Sequence, residues 1–564
     1  MAKQIAVGVQ DFEKLRSTGS FYVDKTAFIK EWWDSNDDVT LITRPRRFGK
    51  TLNVSMLNCF FSNKYLGRSD LFEGLNIWNN DDFRKLQGTF PVVSVTFAGV
   101  KGVTISDTIS GIKKQIVRVF SGFPELYTYS GFDNNEKSAL SNISEDMKDI
   151  DAAYSLNLLS ALLEKMYKKK VLIFLDEYDT PLLEAYINGY WDELVAFIRT
   201  MFNNTFKTNP SLNRAIMTGI TRVSKESIFS DLNNLNVITT TSNEYATSFG
   251  FTEREVFEAM DSQGIAVTEK KNVKFWYDGF TFGKIADIYN PWSVIMYLNK
   301  QEYDTYWANT SANSLVGKLI REGDKGVKTE FEKLISGEYI ETSIDEQIVF
   351  NQLSGSKESI WSLLLASGYL KVIEARFGSD MRKPYYKLAL TNHEVKCMFE
   401  KMVEDWFNQD TAFGDFVTAM FKGDVRGMNG YMNEVALNTF SYFDTGNKPS
   451  DRKSPERFYH GFVLGLLVDR VDTHVVKSNR ESGYGRYDVI MEPKSNSDKA
   501  VIMEFKVFDK EDNEKELTDT ASNALKQIED MKYDSDLLAR GIPSTNIYKY
   551  GFAFEGEKCL ILKG

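Results

Sequence analysis

Val39-Thr-Leu-Ile-Thr-Arg-Pro-Arg-Arg-Phe-Gly-Lys-Thr51 passes from a short apolar run through a basic loop into a helical pattern that continues to Phe61. A phosphate-binding loop of the form G-x-x-x-x-G-K-[ST] occupies such a strand-to-helix turn. Gly49, Lys50 and Thr51 match its end, whereas Arg44 stands in the place of the first glycine. The end of the loop carries the physics that matters. Glycine lets backbone N–H groups close on phosphate oxygens, at a helix N-terminus bearing about +0.5 of a charge. The run Arg47, Phe48, Gly49, Lys50, Thr51 and Leu52 is therefore the expected nucleotide cradle. Lys50 is expected at the β- and γ-phosphates and the Thr51 hydroxyl on Mg²⁺. Arg44, Arg46 and Arg47 either pair with phosphates of nucleotide or nucleic acid or bridge to acidic neighbours.

An apolar run with a polar end recurs twice downstream. Val171-Leu-Ile-Phe-Leu-Asp-Glu-Tyr-Asp179 places two acids at the end of a buried strand. In a Walker B arrangement Asp176 joins the Mg²⁺ shell and Glu177 polarises the attacking water. Met217-Thr-Gly-Ile-Thr-Arg222 follows, where Thr218 or Thr221 is expected at the γ-phosphate or the water, and Arg222 as a sensor or finger. Strands are expected over Val39–Thr43, Pro91–Phe97, Val171–Leu175, Ala215–Ile220 and Val237–Thr241, and helices over Thr51–Phe61, Ser106–Phe120, Ala152–Tyr167 and Leu182–Phe206. Five strands joined by crossover helices predict an α/β fold with one parallel, doubly wound sheet over residues 1–250.

Composition sets the frame. With 564 residues the chain has room for three or four domains at ~100–200 residues each. Its 42% hydrophobic and 26% charged residues are those of a folded globular protein. The net charge of −11 excludes a uniformly basic, nucleic-acid-coating protein but leaves room for a local basic channel. Cys59, Cys397 and Cys559 lie too far apart for a disulfide framework or a cysteine-built metal site, and three histidines exclude histidine-cluster chemistry. The start lacks a signal-peptide core, and the longest nearly apolar stretch, Gly461–Val468, falls short of the ~18–20 residues of a membrane span. A cytoplasmic protein with no membrane contact is expected.

Residues 251–445 read mostly as helix, an expected lid and middle domain. Within them Ser359–Tyr369, Leu370–Glu374, Tyr385–Leu390 and Asn392–Phe407 give a helix–strand–strand–helix order compatible with a winged helix. Phe443–Pro455 is rich in Gly, Pro, Ser, Asn and charge, the composition of a linker.

The last region, 446–564, carries sharper chemistry. An apolar helix is expected from Pro455 to Val468, with Ser454 as its cap and Glu456 and His460 four apart on one face. Tyr487–Met491 and Ala500–Val507 read as strands, and a helix is expected over Thr518–Met531. Strand side chains alternate, so Glu504 and Lys506 share a face that Phe505 does not. A hairpin centred on Asn496 brings Asp488 opposite Glu504. Two facing carboxylates are destabilising unless a cation joins them, and Mg²⁺ or Mn²⁺ is the hard ion that carboxylates favour. Lys506 then stands ready to orient or deprotonate a water attacking a phosphodiester. Residues 452–564 hold 18 Lys and Arg against 20 Asp and Glu, a net −2, so attraction of DNA depends on a local patch such as Arg457, Arg480 and Arg486.

RPRRFGKT, FLDEYDTPL and GITRVSKESIFSDLNNL, together with Val9–Arg16 and Phe21–Thr26, resemble the AAA-ATPase-like family, in which a missing first glycine is usual. The resemblance extends to about residue 300, through Trp276-Tyr-Asp-Gly279 and Tyr289-Asn-Pro-Trp292. The order of a helix with Glu456, a strand with Asp488, a strand with Glu504 and Lys506, and a helix with Gln527 resembles the PD-(D/E)XK nuclease superfamily. That resemblance implies Asp488 and Glu504 as metal ligands, Lys506 as the catalytic lysine, Glu456 as an accessory acid and Gln527 as a polar group near the substrate. It implies ATP, Mg²⁺ and nucleic acid, DNA before RNA, as cofactors and partner. Nucleotide state is then expected to gate cleavage through the middle region. The alternative is a nucleotide-dependent switch or scaffold that cuts nothing.

Overall fold

The computed structural model describes residues 3–221, 228–229, 232–308, 314–323, 325–344, 357–377, 384–408, 413–439, 473–482, 485–495, 498–509, 514–555 and 558–564. Its contacts divide the chain into two compact units, Met1–Met398 and Phe399–Gly564.

In the first unit the alternating apolar runs close into one five-stranded sheet. Its strands are β1 Val39–Thr43, β2 Val92–Thr96, β3 Val171–Asp176, β4 Leu212–Gly219 and β5 Leu235–Ile238, in the order β2-β3-β4-β1-β5. Every pairing is parallel, which crossover helices such as Lys50–Phe61, Ile105–Ser121 and Asp149–Tyr167 make possible. β1 and β3 are buried along their whole length, as strands covered on both faces are. Such a sheet opens its ligand crevice at the C-terminal ends of its strands. Thr43, Asp176 and Gly219 end β1, β3 and β4 there.

One element departs from expectation. The helix predicted over Leu182–Phe206 is two helices, Thr180–Asn188 and Trp191–Phe202, followed by a π-helical turn at Asn203–Lys207. The first stops at Gly189, which takes a left-handed conformation (φ 80°) that a residue without Cβ adopts cheaply. Apolar spacing runs on through the break, so periodicity does not mark it.

Residues 251–398 belong to the same unit. Phe251–Thr252 (β6), Phe280–Phe282 (β7) and Ile285–Tyr289 (β8) form a small antiparallel sheet beside a core of Val256, Met260, Tyr277, Val294 and Tyr297. Further on, the helices Ser314–Glu322 and Lys325–Ile335 lead to Ile340–Ser343 (β9) and the helix Lys357–Ala366. Leu370–Phe377 (β10) and Pro384–Leu390 (β11) complete a sheet of order β10-β11-β9. The sequence reading missed β9, which spans only four residues and carries little pattern.

The second unit is a mixed sheet. Its strands β12 His474–Ser482, β13 Gly485–Pro493, β14 Ala500–Val507, β15 Ile547–Glu555 and β16 Lys558–Lys563 lie in sequence order. All neighbours are antiparallel except β14 and β15, which are parallel and joined through the helix Leu517–Asp530. Met503, Phe505 and Phe552 face the helices Phe413–Lys422 and Val425–Thr439. Ile490 and Ile502 face the other way, against Ile528 and Tyr533. Gly551 lets the helix Leu517–Asp530 approach the sheet, since a Cβ there would sit 2.3 Å from the Ala521 carbonyl. The linker expected over Phe443–Pro455 and the apolar helix after it lie outside the described residues.

Candidate functional site

Gly49 ends the basic loop and the helix Lys50–Phe61 begins behind it, beside a cavity of about 460 Å³. That volume is within the ~300–1,000 Å³ of small-molecule sites. Arg46, Gly49, Thr51, Glu177, Thr221 and Trp292 are among its walls. Lys50 is buried, and its ammonium donates to the carbonyls of Arg44 and Pro45 at 2.9 Å each. Burial holds its pKa below the ordinary lysine value. The Thr51 hydroxyl donates to Asp176 Oδ2 at 2.7 Å, so the helix start and the end of β3 meet. A hydroxyl touching a carboxylate is a hard-oxygen pair of the kind Mg²⁺ takes, and these residues fit that ion.

Around Asp176 the supports are polar and buried. Thr218 is fully buried and donates its hydroxyl to the other Asp176 oxygen. Thr221, the alternative candidate on that segment, lines the cavity. Glu177 takes a left-handed backbone (φ 53°), and Thr180 Oγ1 donates to its carboxylate at 3.2 Å. Burial, with Asp176 next to it, raises the Glu177 pKa from its ordinary value. Asp179, to which the sequence reading gave no role, accepts from the backbone N–H of Ile220 at 2.8 Å and of Thr221 at 3.0 Å. It thereby ties the segments after β3 and β4 together. Its signal was the third acid in Asp176-Glu-Tyr-Asp179. Arg222 lies outside the described residues.

The three loop arginines have different fates. Arg44 is fully buried, and its guanidinium donates to the carbonyls of Thr43, Thr239 and Glu244 and lies 4.6 Å over the Phe282 ring. Burial lowers its pKa to about 9. The side chain in the first glycine's place is thus bound to backbone carbonyls. Arg47 stacks 4.5 Å over Trp292. Arg46 lines the cavity, and its carbonyl accepts from Trp307 Nε1 at 3.0 Å and Asn290 Nδ2 at 3.3 Å. The aromatic stretches after residue 270 therefore divide: Tyr277 and Tyr289 are core, whereas Trp292 and Trp307 reach the basic loop. Phe48 is buried against Phe280 and Phe282, so its ring packs inward. Leu52 lines the cavity.

In the second unit β13 and β14 pair Val489 with Met503 and Ile490 with Ile502. The same register continued by one residue sets Asp488 opposite Glu504. Asp488 Oδ2 accepts from the Phe505 N–H at 2.9 Å, and burial raises its pKa. Glu504 is buried, and Gln527 Nε2, from the helix behind, donates to its Oε1 and lies 3.3 Å from the Tyr533 hydroxyl. Lys506 follows two residues on in the same strand, half-buried. Asp488, Glu504 and Gln527 therefore converge, with Lys506 on their face of the sheet. Two hard carboxylates suit Mg²⁺ or Mn²⁺. Tyr533 is core, and His474 is buried with Nε2 2.9 Å from the Lys499 carbonyl. Glu456, His460 and Arg457 lie outside the described residues. Among the described residues one further acidic group, Glu253, Asp278 and Asp287, gathers within the first unit. Lys274 already pairs with all three of its carboxylates.

Comparison with known proteins fits this division. Residues 6–229 match the family model described as a predicted AAA-ATPase, and residues 454–564 match the PD-(D/E)XK nuclease superfamily. The chain thus carries an AAA-ATPase-like domain followed by a PD-(D/E)XK nuclease superfamily domain. An uncharacterized protein from the vnfD 5′ region of Azotobacter chroococcum mcd 1 is 24% identical over 562 residues, covering 96% of this chain and 95% of its own. Among the described residues no helix is long and apolar enough to cross a membrane.

Proposed function

We propose that residues 1–250 form a domain that binds and hydrolyses ATP with Mg²⁺, and that residues 446–564 form a nuclease domain that cuts phosphodiester bonds, DNA in preference to RNA. Residues 251–445 are then the lid and middle domain. The observation that supports the nuclease half is the register of β13 against β14, Val489 with Met503 and Ile490 with Ile502, which continued by one residue would bring Asp488 to Glu504, with Lys506 two residues on. The contact of Thr51 with Asp176 at the mouth of the loop supports the ATPase half.

In the ATPase site Lys50 exchanges its two carbonyl partners for phosphate oxygens when nucleotide enters. Glu177 orients the attacking water and takes up its proton, a role its raised pKa favours. Asp179 keeps the end of β4 beside that water. In the nuclease site the Phe505 N–H and the Gln527 amide hold Asp488 and Glu504 in place. A divalent ion on these carboxylates supplies charge neutralisation at the scissile phosphate. Lys506 holds the attacking water at the phosphorus and accepts or relays its proton.

Purified protein incubated with labelled DNA and RNA in Mg²⁺ or Mn²⁺ tests the nuclease half. Asp488→Ala or Lys506→Ala is expected to abolish cleavage, and cutting that survives both substitutions ends the assignment. Lys50→Ala is expected to weaken ATP binding, and unchanged affinity counts against the cradle.

A further inference from the structure

The nucleotide cavity has a wall that neither the loop nor the acidic strand end supplies. β2 lies next to β3, and Thr96 pairs with Asp176, the metal-side acid. The Phe97 N–H donates to the Asp176 carbonyl at 3.0 Å, so the chain leaving β2 starts beside Glu177. It then turns through Ala98–Gly102 before the helix Ile105–Ser121. This turn is held firmly. Val100 is 1% exposed, its N–H returns to the Phe97 carbonyl, and the Tyr190 hydroxyl donates to the Gly102 carbonyl and lies 2.9 Å from the Thr108 hydroxyl.

Between the two anchors Lys101 is exposed and lines the same cavity as Gly49, Thr51, Glu177 and Thr180. Three carboxylates share that lining, Glu177, Asp179 and Glu184. Even so, no hydrogen bond or ion pair occupies the Lys101 ammonium among the described residues. Lys101 is exposed, and a cation without an ion pair on an anchored turn that lines this cavity can meet anionic charge there.

We propose that Lys101 contacts the γ-phosphate of the bound nucleotide, supplying from the loop after β2 a cation that distinguishes the triphosphate from the diphosphate. The proposal rests on the reading of this cavity as an ATP site. Lys50 reaches the β- and γ-phosphates and the loop N–H groups cradle the phosphates near the helix start. Lys101 approaches from the side of Glu177, where the terminal phosphate and the attacking water meet. Charge on the transferring phosphoryl group is then met from two sides.

Calorimetric titration of the full chain with a non-hydrolysable ATP analogue and with ADP, each with Mg²⁺, tests this without relying on turnover. A charged hydrogen bond lost from the γ-phosphate costs roughly a factor of ten in affinity. Lys101→Ala is expected to weaken the triphosphate analogue about tenfold and to leave ADP binding unchanged, with Lys101→Arg restoring most of the loss. Equal affinities in wild type and Lys101→Ala, or equal weakening of both nucleotides, overturns the proposal. Wild-type protein that binds neither nucleotide overturns the ATP-site reading itself, and Lys101's role falls with it.

Discussion

The two candidate sites are built by opposite means. In the nucleotide site, the contacts that shape the loop span long stretches of chain. Arg44 reaches a carbonyl 195 residues away, and Trp307 reaches the loop across 261. In the carboxylate site, Asp488 meets the Phe505 N–H across 17 residues and Gln527 meets Glu504 across 23. A hairpin and the helix behind it suffice to assemble the second. The first exists only once a sheet, its crossover helices and residues 251–398 have come together. Chemistry made by local pairing is open to register arithmetic, whereas chemistry made by closure is not.

The largest expected effect separates the two sites. Glu504→Gln is expected to reduce metal-dependent cleavage by about 10³-fold or more, with ATP affinity and turnover unchanged. Glu177→Gln is expected to slow ATP hydrolysis by roughly 10²–10³-fold while ATP still binds. Parallel assays of cleavage, turnover and binding on both variants check this, and either variant silencing both activities breaks the comparison.

Next in size is the cost of removing the long-range anchor. Arg44→Ala removes the guanidinium donor shared by the Thr43, Thr239 and Glu244 carbonyls and leaves buried Thr43 without it, while the Ser242 N–H still reaches Thr239. It is expected to destabilise the first unit by about 3 kcal/mol. Eight of the nine tryptophans lie in Met1–Met398, so tryptophan fluorescence during urea unfolding reports that unit. An unchanged transition would show that Arg44 contributes no more than its volume.

The smallest effect depends on pH and concerns residues 251–398. Glu394 is fully buried, accepting from Ser293 Oγ at 2.9 Å and from the N–H groups of Trp307 and Ala308. Burial, despite those three donors, pushes its pKa up from 4.5 to about 7, and Asp304 adds to the rise. Between these values the folded state binds more protons than the unfolded one, so stability falls as pH rises through that window. Above pH 7 the full cost persists. Glu394→Gln is expected to flatten this slope and to gain on the order of 1 kcal/mol over wild type at pH 8, with little difference at pH 5. Parallel slopes in the two proteins would place the titration elsewhere.

Much was legible in advance, for identifiable reasons. The five parallel strands announced themselves because strands covered on both faces are continuous apolar runs, as Val171–Leu175 is. The facing of Asp488 and Glu504 followed from a strand period of two and a turn near Asn496. Less visible were the break at Gly189, hidden by apolar spacing that runs through it, and β9, too short to carry a pattern. Asp179, Trp292 and Trp307 were missed as parts of the candidate site because their partners are distant in sequence, and Lys101 because no local pattern marks it.

By itself, then, the sequence determined the parallel sheet, the loop with its Gly49-Lys-Thr51 end, the acidic strand end and the pairing of the two C-terminal carboxylates. Those follow from local period, turn chemistry and backbone geometry. Only the tertiary structure decided that Arg44 binds carbonyls, that Asn290 and Trp307 hold the loop, and that Lys101 lines the cavity. Each depends on which distant segments share a buried space, and burial decides whether a charge finds carbonyls, a ring or a ligand.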